Sequence, residues 1–190
     1  MKIFTMTVGS YEENCYIVVN ENNKQAIVID PGAEPEKIQA FINDNALTIA
    51  AIFITHGHHD HIGALASLHT SNKAPIYVHE ADASRLSVPA DVLLKGGEII
   101  EAAGMKFKTI SVPGHTQGGC CFVIQDHAFV GDSIFCETIG RTDLPGGSYK
   151  QLIQALKTKI LTLPETTQLY PGHGPATDVA WERRMNPFLQ

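Results

Sequence analysis

The sequence predicts an α/β (α+β) fold in which mixed β-sheets are covered by helices. Short apolar runs rich in β-branched residues recur along the chain and are bounded by Gly, Pro, Asn and Asp, as strands usually are. Segments with a helical spacing of apolar residues lie between some of these runs. In FVIQDHAFV two runs are separated only by a short polar turn, which is typical of a β-hairpin. The mixture indicates both parallel and antiparallel pairing.

Nine runs are short enough to be strands. In chain order they are KIFTMTV, CYIVV, QAIVID, IAAIFIT, APIYVH, MKFKTISV, CCFVIQ, HAFVGD and TQLYP. Most are rich in Val, Ile or aromatic residues, whose side chains pack well on a pleated and half-buried surface.

Two segments have the periodicity of helices. The first, EPEKIQAFINDN (residues 34–45), has Pro35 in a position that suits a first helical turn. The second, SYKQLIQALKTKI (residues 148–160), opens with Ser148 and Gln151 at the spacing of a capping box. Residues at helical spacing are Ile38, Phe41 and Ile42 in the first segment, and Leu152, Ala155, Leu156 and Lys159 in the second. Each stripe can face a sheet.

The composition is that of one globular domain. With 190 residues, 44% of them apolar and 18% charged, the chain can build a single core, and we expect residues 1–190 to form one domain. The net charge of -6 and the lack of a basic block argue against a nucleic-acid partner. We find no secretion signal and no membrane span, so we expect no membrane partner.

The cysteines predict the cellular compartment. No C-x-x-C pair occurs, and most of the cysteines lie in or beside apolar runs, where free cysteine behaves as a small hydrophobic residue. The four are Cys15, Cys120, Cys121 and Cys136. We therefore expect no disulfide framework and a cytoplasmic location.

The stretch ITHGHHDHIGA (residues 54–64) concentrates potential metal ligands directly after a strand. His56, His58, Asp60 and His61 have the spacing H-x-H-x-D-H, and we expect His61 to begin the next helix. Imidazole nitrogens and carboxylate oxygens at short separation suit zinc, iron or manganese. Taken alone, the stretch also fits a solvated, histidine-rich turn.

Three further strands end in the same kind of residue. His115 follows MKFKTISV, Asp132 follows HAFV, and His173 follows TQLYP. Glycines lie beside these residues and allow tight turns close to an ion. Since sheet proteins assemble sites at strand ends, we expect all of these side chains to form one site.

Seven ligands exceed the four that one zinc ion normally takes, so two ions are expected. We assign His56, His58 and His115 to one ion and call them the first group. The residues Asp60, His61 and His173, the second group, would hold the other ion. Asp132 would bridge the two ions through its carboxylate oxygens. A pair of divalent cations is a recognised hydrolytic device.

With these residues, the chain resembles the metallo-β-lactamase superfamily and, within it, the glyoxalase II (hydroxyacylglutathione hydrolase) branch. The matching stretches are NCYIV, VIDPG, THGHHDH, PGHTQGG, GDSIF, GRTDLPGGS and YPGHG. The resemblance implies a four-layer αβ/βα sandwich of two mixed sheets flanked by helices, with the metals at one edge. It also implies the ligand assignments given above. Because one fold can host many reactions, the resemblance is less specific for the substrate.

One feature departs from typical glyoxalase II. Those proteins have a further helical C-terminal domain that binds glutathione, whereas this chain ends 17 residues after His173. The resemblance is therefore to a short form, for which another thiol carrier is possible.

The leading hypothesis is hydrolysis of a small acyl-thiol substrate, such as an S-2-hydroxyacylglutathione, by a hydroxide that bridges two divalent metal ions. Zinc is the expected metal, with iron or manganese as alternatives. Asp60 and Asp132 are the predicted catalytic carboxylates. Asp30 would orient a ligand histidine, or alternatively cap a turn. Arg141 would bind a substrate carboxylate, or alternatively pair with Asp143.

The sequence is also compatible with other functions. A persulfide (sulfur) dioxygenase would use a single iron held by His56, His115 and Asp132. A β-lactamase, a lactonase and a non-catalytic metal-binding domain are further alternatives. His59 is expected to face outward or line the rim of the pocket. The remaining histidines, which are expected to be structural or solvated, are His69, His79 and His127. The oligomeric state is not predicted by the sequence.

Overall fold

A computed structural model describes residues 1–190 as two six-stranded mixed sheets flanked by helices. The first sheet has the order β1-β2-β3-β4-β5-β6, and the second has the order β14-β13-β10-β9-β8-β7. The strands of the first sheet are β1 Lys2–Val8, β2 Glu13–Asn20, β3 Gln25–Ile29, β4 Thr48–Phe53, β5 Ile76–His79 and β6 Val92–Leu94. Those of the second are β7 Ile99–Ala102, β8 Met105–Ser111, β9 Cys120–Ile124, β10 His127–Gly131, β13 Gln168–Pro171 and β14 Thr177–Asp178. A small hairpin pairs β11 Ile134–Phe135 with β12 Thr138–Ile139.

Five α-helices are interspersed with the strands along the chain. They are α1 Pro35–Asp44, α2 His59–Ile62, α3 Leu65–Asn72, α4 Tyr149–Ala155 and α5 Val179–Met185. A 3₁₀ helix spans Glu80–Arg85, and a π-helical turn, Leu156–Ile160, continues α4. The longest helix has ten residues, and none could cross a bilayer.

Three apolar layers hold the four structural layers together, as the resemblance implies. Along β2, successive side chains alternate between faces, so Ile17 packs on the helix side and Val18 on the side of the other sheet. The layer between the sheets includes Phe53 and Phe122, whose stacked rings have centroids 4.7 Å apart. On the far side, the second sheet packs against α4 through residues such as Leu152. The predicted sandwich of two mixed sheets flanked by helices is confirmed.

All nine predicted strands are present, and FVIQDHAFV forms the predicted antiparallel pair β9–β10. The two predicted helices correspond to α1 and to α4 with its π-helical turn, and Ser148 accepts a hydrogen bond from the backbone N–H of Gln151. The sequence reading missed β6, β7, β11, β12 and β14, which have two to four residues each. It also missed α5 and the 3₁₀ helix. Such short runs carry too few residues for a periodic signal.

The expected start of the helix after the first ligand motif was wrong. The helix α2 begins at His59 and not at His61, because His58 has an extended backbone and is the residue before the first turn. This start leaves the His58 side chain outside the helix. All four cysteines are free, and Cys136 is the one that is not fully buried.

Candidate metal centre

The site forms where two pairs of parallel strands end. β3 and β4 are parallel neighbours in one sheet, and β10 and β13 are parallel neighbours in the other. Asp30 follows β3, His56 follows β4, Asp132 follows β10 and His173 follows β13. The loop after β8 adds His115. Strand ends are rigid supports, so the side chains are held before any ligand arrives.

The three histidines of the first group converge on one point. His115 Nε2 lies 3.2 Å from His56 Nε2 and 2.9 Å from His58 Nδ1, and the remaining nitrogen pair is 3.1 Å apart. Nitrogens bound to one tetrahedral zinc at about 2.0–2.1 Å would be roughly 3.3 Å apart. The observed separations are close to that value, so these three rings could bind a common ion.

Hydrogen bonds behind two of these rings fix which nitrogen carries the proton. His115 Nδ1 lies 2.8 Å from the backbone carbonyl of Arg141, which can only accept. Thr55 Oγ1 donates to Asp30 and therefore accepts from His56 Nδ1, at 3.2 Å. In a neutral imidazole with a protonated Nδ1, the Nε2 atom has a free lone pair. Both Nε2 atoms thus present lone pairs to the centre.

The second group forms beside the first. Asp60 Oδ2 lies 3.3 Å from His173 Nε2 and 4.0 Å from His61 Nε2. His61 Nδ1 donates to Asp30 Oδ2 at 2.9 Å, and His173 Nδ1 donates to the carbonyl of Tyr11 at 3.0 Å. These backing acceptors again leave Nε2 free to bind an ion. Asp30 therefore makes the contact with a ligand histidine that its predicted orienting role requires, and the role itself stays a prediction.

Asp132 lies between the two groups. Its Oδ1 is 3.3 Å from His61 Nε2, whereas its Oδ2 is 3.6 Å from His115 Nε2 and 3.7 Å from His173 Nε2. One carboxylate thus faces nitrogens of both groups. The seven residues that the sequence predicts as ligands are all brought together, and their division into two groups matches two of the clusters able to hold an ion.

The environments of His56 and His58 favour the neutral form of both rings. Burial and the neighbouring histidines lower the pKa of His56 well below its usual range. Burial, followed by the charges of His115 and Arg85, lowers the pKa of His58 to about 4. Neutral imidazole is the form that binds metals, so these two rings are ready to act as ligands near neutral pH.

The environment of the second group favours the protonated, positively charged form of its two histidines. Burial alone would lower the pKa of His61, but the carboxylates of Asp132 and Asp30 outweigh it and raise that pKa well above the usual value. A hydrogen bond with Asp60 likewise raises the pKa of His173. Conversely, the pKa values of Asp60 and Asp132 are lowered by these histidines in spite of burial. A divalent cation would offset the negative charge of these carboxylates, as the protonated histidines do.

The residues fit a pair of divalent cations. His61 Nε2 and Asp132 Oδ1 are buried and lie 3.3 Å apart, yet neither makes a hydrogen bond of good geometry, which is costly unless another group satisfies them. A Cβ on Gly172 would overlap both Asp132 Oδ1 and the His61 ring, so the glycine leaves room where these atoms meet. Nitrogen and carboxylate-oxygen donors suit zinc, iron and manganese alike. The donor set therefore implies divalent metal without identifying it.

Two groups near the site were missed by sequence reasoning. Thr55 connects Asp30 to His56, and its position next to the ligand motif was the available signal. Glu13 is buried with both carboxylate oxygens unpaired, and Oε1 lies 3.7 Å from His61 Nδ1. Burial raises the pKa of Glu13 to about 10, so its neutral form is favoured beside the site. Nothing in the local sequence around Glu13 signals this position.

The remaining predicted residues lie around the centre. Arg141 donates two hydrogen bonds of 2.8 Å to Asp143, which is the ion pair given as its alternative role; substrate binding by Arg141 stays a prediction. His59 is exposed and packs edge-on against Tyr11, at the rim where the sequence placed it. His69, His79 and His127 hydrogen-bond to a carbonyl, to backbone groups and to Tyr170, respectively, as structural residues would.

Two cavities border the second group. One of about 270 Å³ is lined by Tyr11, Ala33 and His59, and it reaches Asp60. The other, of about 340 Å³, is lined by Phe135 and other residues and reaches His173. A larger cavity of about 600 Å³, lined by residues such as Lys108 and Lys159, contains none of the predicted ligands.

The family model of the metallo-beta-lactamase superfamily matches residues 9–173. A probable metallo-hydrolase of Bacillus subtilis, YqgX, is 38% identical, and the match covers 100% of this chain and 98% of that protein. A protein of Haemophilus influenzae named hydroxyacylglutathione hydrolase GloC is 34% identical, with 100% and 98% covered.

Several solved structures are similar to this chain over nearly its whole length. The B3 metallo-beta-lactamase BLEG-1 has a TM-score of 0.96 at 32% identity, with both chains fully covered. ETHE1 from Myxococcus xanthus has a TM-score of 0.92 at 30% identity, covering 98% of this chain and 84% of that one. The protein TTHA1623, solved in a di-iron-bound form, has a TM-score of 0.87 at 35% identity, with 98% and 100% covered. The chain is a metal-dependent hydrolase that belongs to the metallo-beta-lactamase superfamily.

Proposed function

We propose that this chain hydrolyses small acyl-thiol esters of the S-2-hydroxyacylglutathione type. The observation that carries the proposal is the position of Asp132, whose carboxylate faces nitrogens of both ligand groups. A residue in this position suits a pair of ions more than a single one. The similarity to GloC supports the substrate class, and the match extends over 98% of GloC. A further glutathione-binding domain is therefore not required by this comparison.

The chain's own residues would hold and orient the reactants. The first group and the second group would each hold one cation, with Asp132 shared between them. Zinc is the metal that we propose, although the di-iron form of TTHA1623 shows that a similar protein binds iron. When bound, such a pair polarises a carbonyl oxygen and makes water nucleophilic at neutral pH.

The rest of the site would position the thioester. The cavity beside Tyr11 and His59 and the cavity beside Phe135 lie next to Asp60 and His173, respectively. A thioester has two arms, an acyl group and a thiol carrier, and each cavity could receive one of them. The scissile bond would then lie over the second group. This placement would bring the reacting carbonyl close to Asp60 and Asp132.

The test compares two reactions on the same preparation. Protein loaded with zinc, and separately with iron, should be assayed for hydrolysis of S-lactoylglutathione and for oxygen uptake with glutathione persulfide. We expect hydrolysis without oxygen uptake. The variant Asp132→Asn should lose hydrolysis, whereas His127→Ala, remote from the ligands, should retain it. Oxygen uptake with no hydrolysis would reject the proposal.

The second candidate is a mononuclear-iron persulfide dioxygenase. His56, His115 and Asp132 would form its two-histidine, one-carboxylate face, and His115 Nε2 does lie 3.6 Å from Asp132 Oδ2. This single-iron arrangement leaves Asp60, His61 and His173 without a common role, although they form a cluster of their own. We therefore favour the dinuclear hydrolase.

A further inference from the structure

An aspartate outside the ligand motifs ties together the two turns that carry the first group. Asp82 lies in the 3₁₀ helix Glu80–Arg85, directly after β5, and is 1% exposed. Its Oδ2 accepts a hydrogen bond of 2.9 Å from the backbone N–H of Gly57, and its Oδ1 accepts one of 3.0 Å from the N–H of Gly118. The two oxygens of one buried carboxylate thus accept hydrogen bonds from the backbones of two separate loops.

The close approach depends on the two glycines. A Cβ at Gly118 would lie 2.5 Å from the carboxylate carbon of Asp82, and one at Gly57 would lie 2.7 Å from the Cβ of Arg85. Any larger residue would push the loops away from the 3₁₀ helix. Arg85 also reaches a third loop, because its Nη2 donates to the carbonyl of Pro145 at 3.1 Å.

The positions of these glycines connect Asp82 to one ligand group. Gly57 lies between His56 and His58, and Gly118 follows three residues after His115. All three histidines of the first group therefore stand on turns whose backbone Asp82 holds. The second group is supported from elsewhere, since His61 is backed by Asp30 and His173 by a backbone carbonyl.

We propose that Asp82 is a positioning residue that selectively sets the affinity of the first group for its metal ion. This inference rests on the two-ion centre of the proposed function but is independent of the substrate. The ring nitrogens of His115 and His58 lie only 2.9 Å apart, so a small shift between their turns would open the triangle that receives the ion. Supporting residues of this kind typically change metal affinity about 10- to 100-fold.

The principal variant is Asp82→Asn, which keeps the side-chain shape and replaces one acceptor by a donor facing a backbone N–H. We expect affinity for one of the two zinc ions to fall about 10- to 100-fold while the other is retained. In a graded chelator titration, a state with one zinc per chain should appear. Histidine ring ¹⁵N NMR should then show loss of the metal-bound signals of the first group, with those of His61 and His173 kept.

Matched variants make the result specific. Asp91→Asn changes another aspartate that accepts from a backbone N–H, that of Ile76, and should behave as wild type. If Asp82→Asn fails to fold, Gly118→Ala, which crowds the same carboxylate, should give the same selective loss. Equal loss of both ions, or wild-type affinity for both, would overturn the assignment to Asp82. Absence of thioesterase activity in a protein that binds two ions would reject only the substrate.

Discussion

The carboxylate of Asp30 supports one ligand in each metal group, which makes the variant Asp30→Asn a sensitive test of the centre. Asp30 Oδ2 accepts from His61 Nδ1 at 2.9 Å and from the hydroxyl of Thr55, which in turn accepts from His56 Nδ1. Its Oδ1 accepts from the backbone N–H of Thr55 at 2.7 Å. Asn tolerates the positive φ of 50° at this position, so the variant should fold.

The substitution would change the protonation pattern of both rings. The amide oxygen must face the fixed backbone N–H of Thr55, so the amide NH₂ would face the Thr55 hydroxyl and His61 Nδ1. That nitrogen would then have to accept, which moves the His61 proton to Nε2. The Thr55 hydroxyl would also reverse and donate to His56, with the same consequence there. Two Nε2 lone pairs that point to the centre would be lost.

The expected effect follows from these contacts. Loss of a hydrogen-bond partner behind a ligand histidine costs about 10- to 100-fold in metal affinity, or about 1.4–2.8 kcal/mol. Because one histidine of each group is affected, both ions should bind more weakly. The removal of a buried negative charge near the cations adds to the loss. We expect zinc competition with a chelator to show both sites weakened.

A companion variant separates the two branches. Thr55→Val removes the hydroxyl but leaves Asp30 bonded to His61, so it should weaken the first group alone. Histidine ring ¹⁵N spectra would report the tautomers directly. If Asp30→Asn bound both ions with wild-type affinity and kept Nδ1 of both rings protonated, the reasoning from these hydrogen bonds would be refuted.

Three further predictions concern the whole centre. Asp132→Asn should reduce thioester turnover by orders of magnitude at unchanged fold, measured against His127→Ala. Removing the metal with a chelator should abolish turnover and lower the free energy of unfolding by about 4 kcal/mol for each ion, relative to protein with free ion at about a thousand times Kd, which calorimetry would detect. Burial raises the pKa of Glu13 to about 10, so the stability contributed by its proton is complete below pH 4.5 and is lost as pH rises toward 10. The Tm of Glu13→Gln relative to wild type should therefore increase between about pH 5 and pH 8, and parallel Tm curves would contradict this sign.

The sheets and the ligands could be predicted because their signals are local. Strands such as β2 have apolar residues at consecutive positions, since both of their faces are buried in this four-layer fold. The predicted ligands are histidines and aspartates that occur in a few short stretches of sequence. Each of these stretches follows a strand. The short strand β6 and the short helix α5 lack such patterns, and only their tertiary contacts define them. The start of α2 was misplaced because its histidines carry no helix-start signal.

The supports of the ligands could not be predicted in the same way, because many of them are backbone groups. Arg141 illustrates the difference. The sequence drew attention to its guanidinium, yet the structure pairs that group with Asp143 and uses the backbone carbonyl of Arg141 to hold His115. Likewise, the carbonyl of Tyr11 holds His173. Every residue offers a carbonyl, so no residue type marks these positions.

The side chains that support the ligands are different, because they can be replaced. Asp30 and Asp82 each use both carboxylate oxygens on the turns that carry the ligands, and both are buried. Burying a carboxylate is costly unless donors satisfy it, so neither residue is a neutral part of the core. Asp30 reaches both groups through His61 and Thr55, whereas Asp82 reaches only the turns of the first group. The two metal positions should therefore respond differently to substitutions at residues that contact no ion, and this difference distinguishes a prearranged centre from ligands that converge only when metal binds.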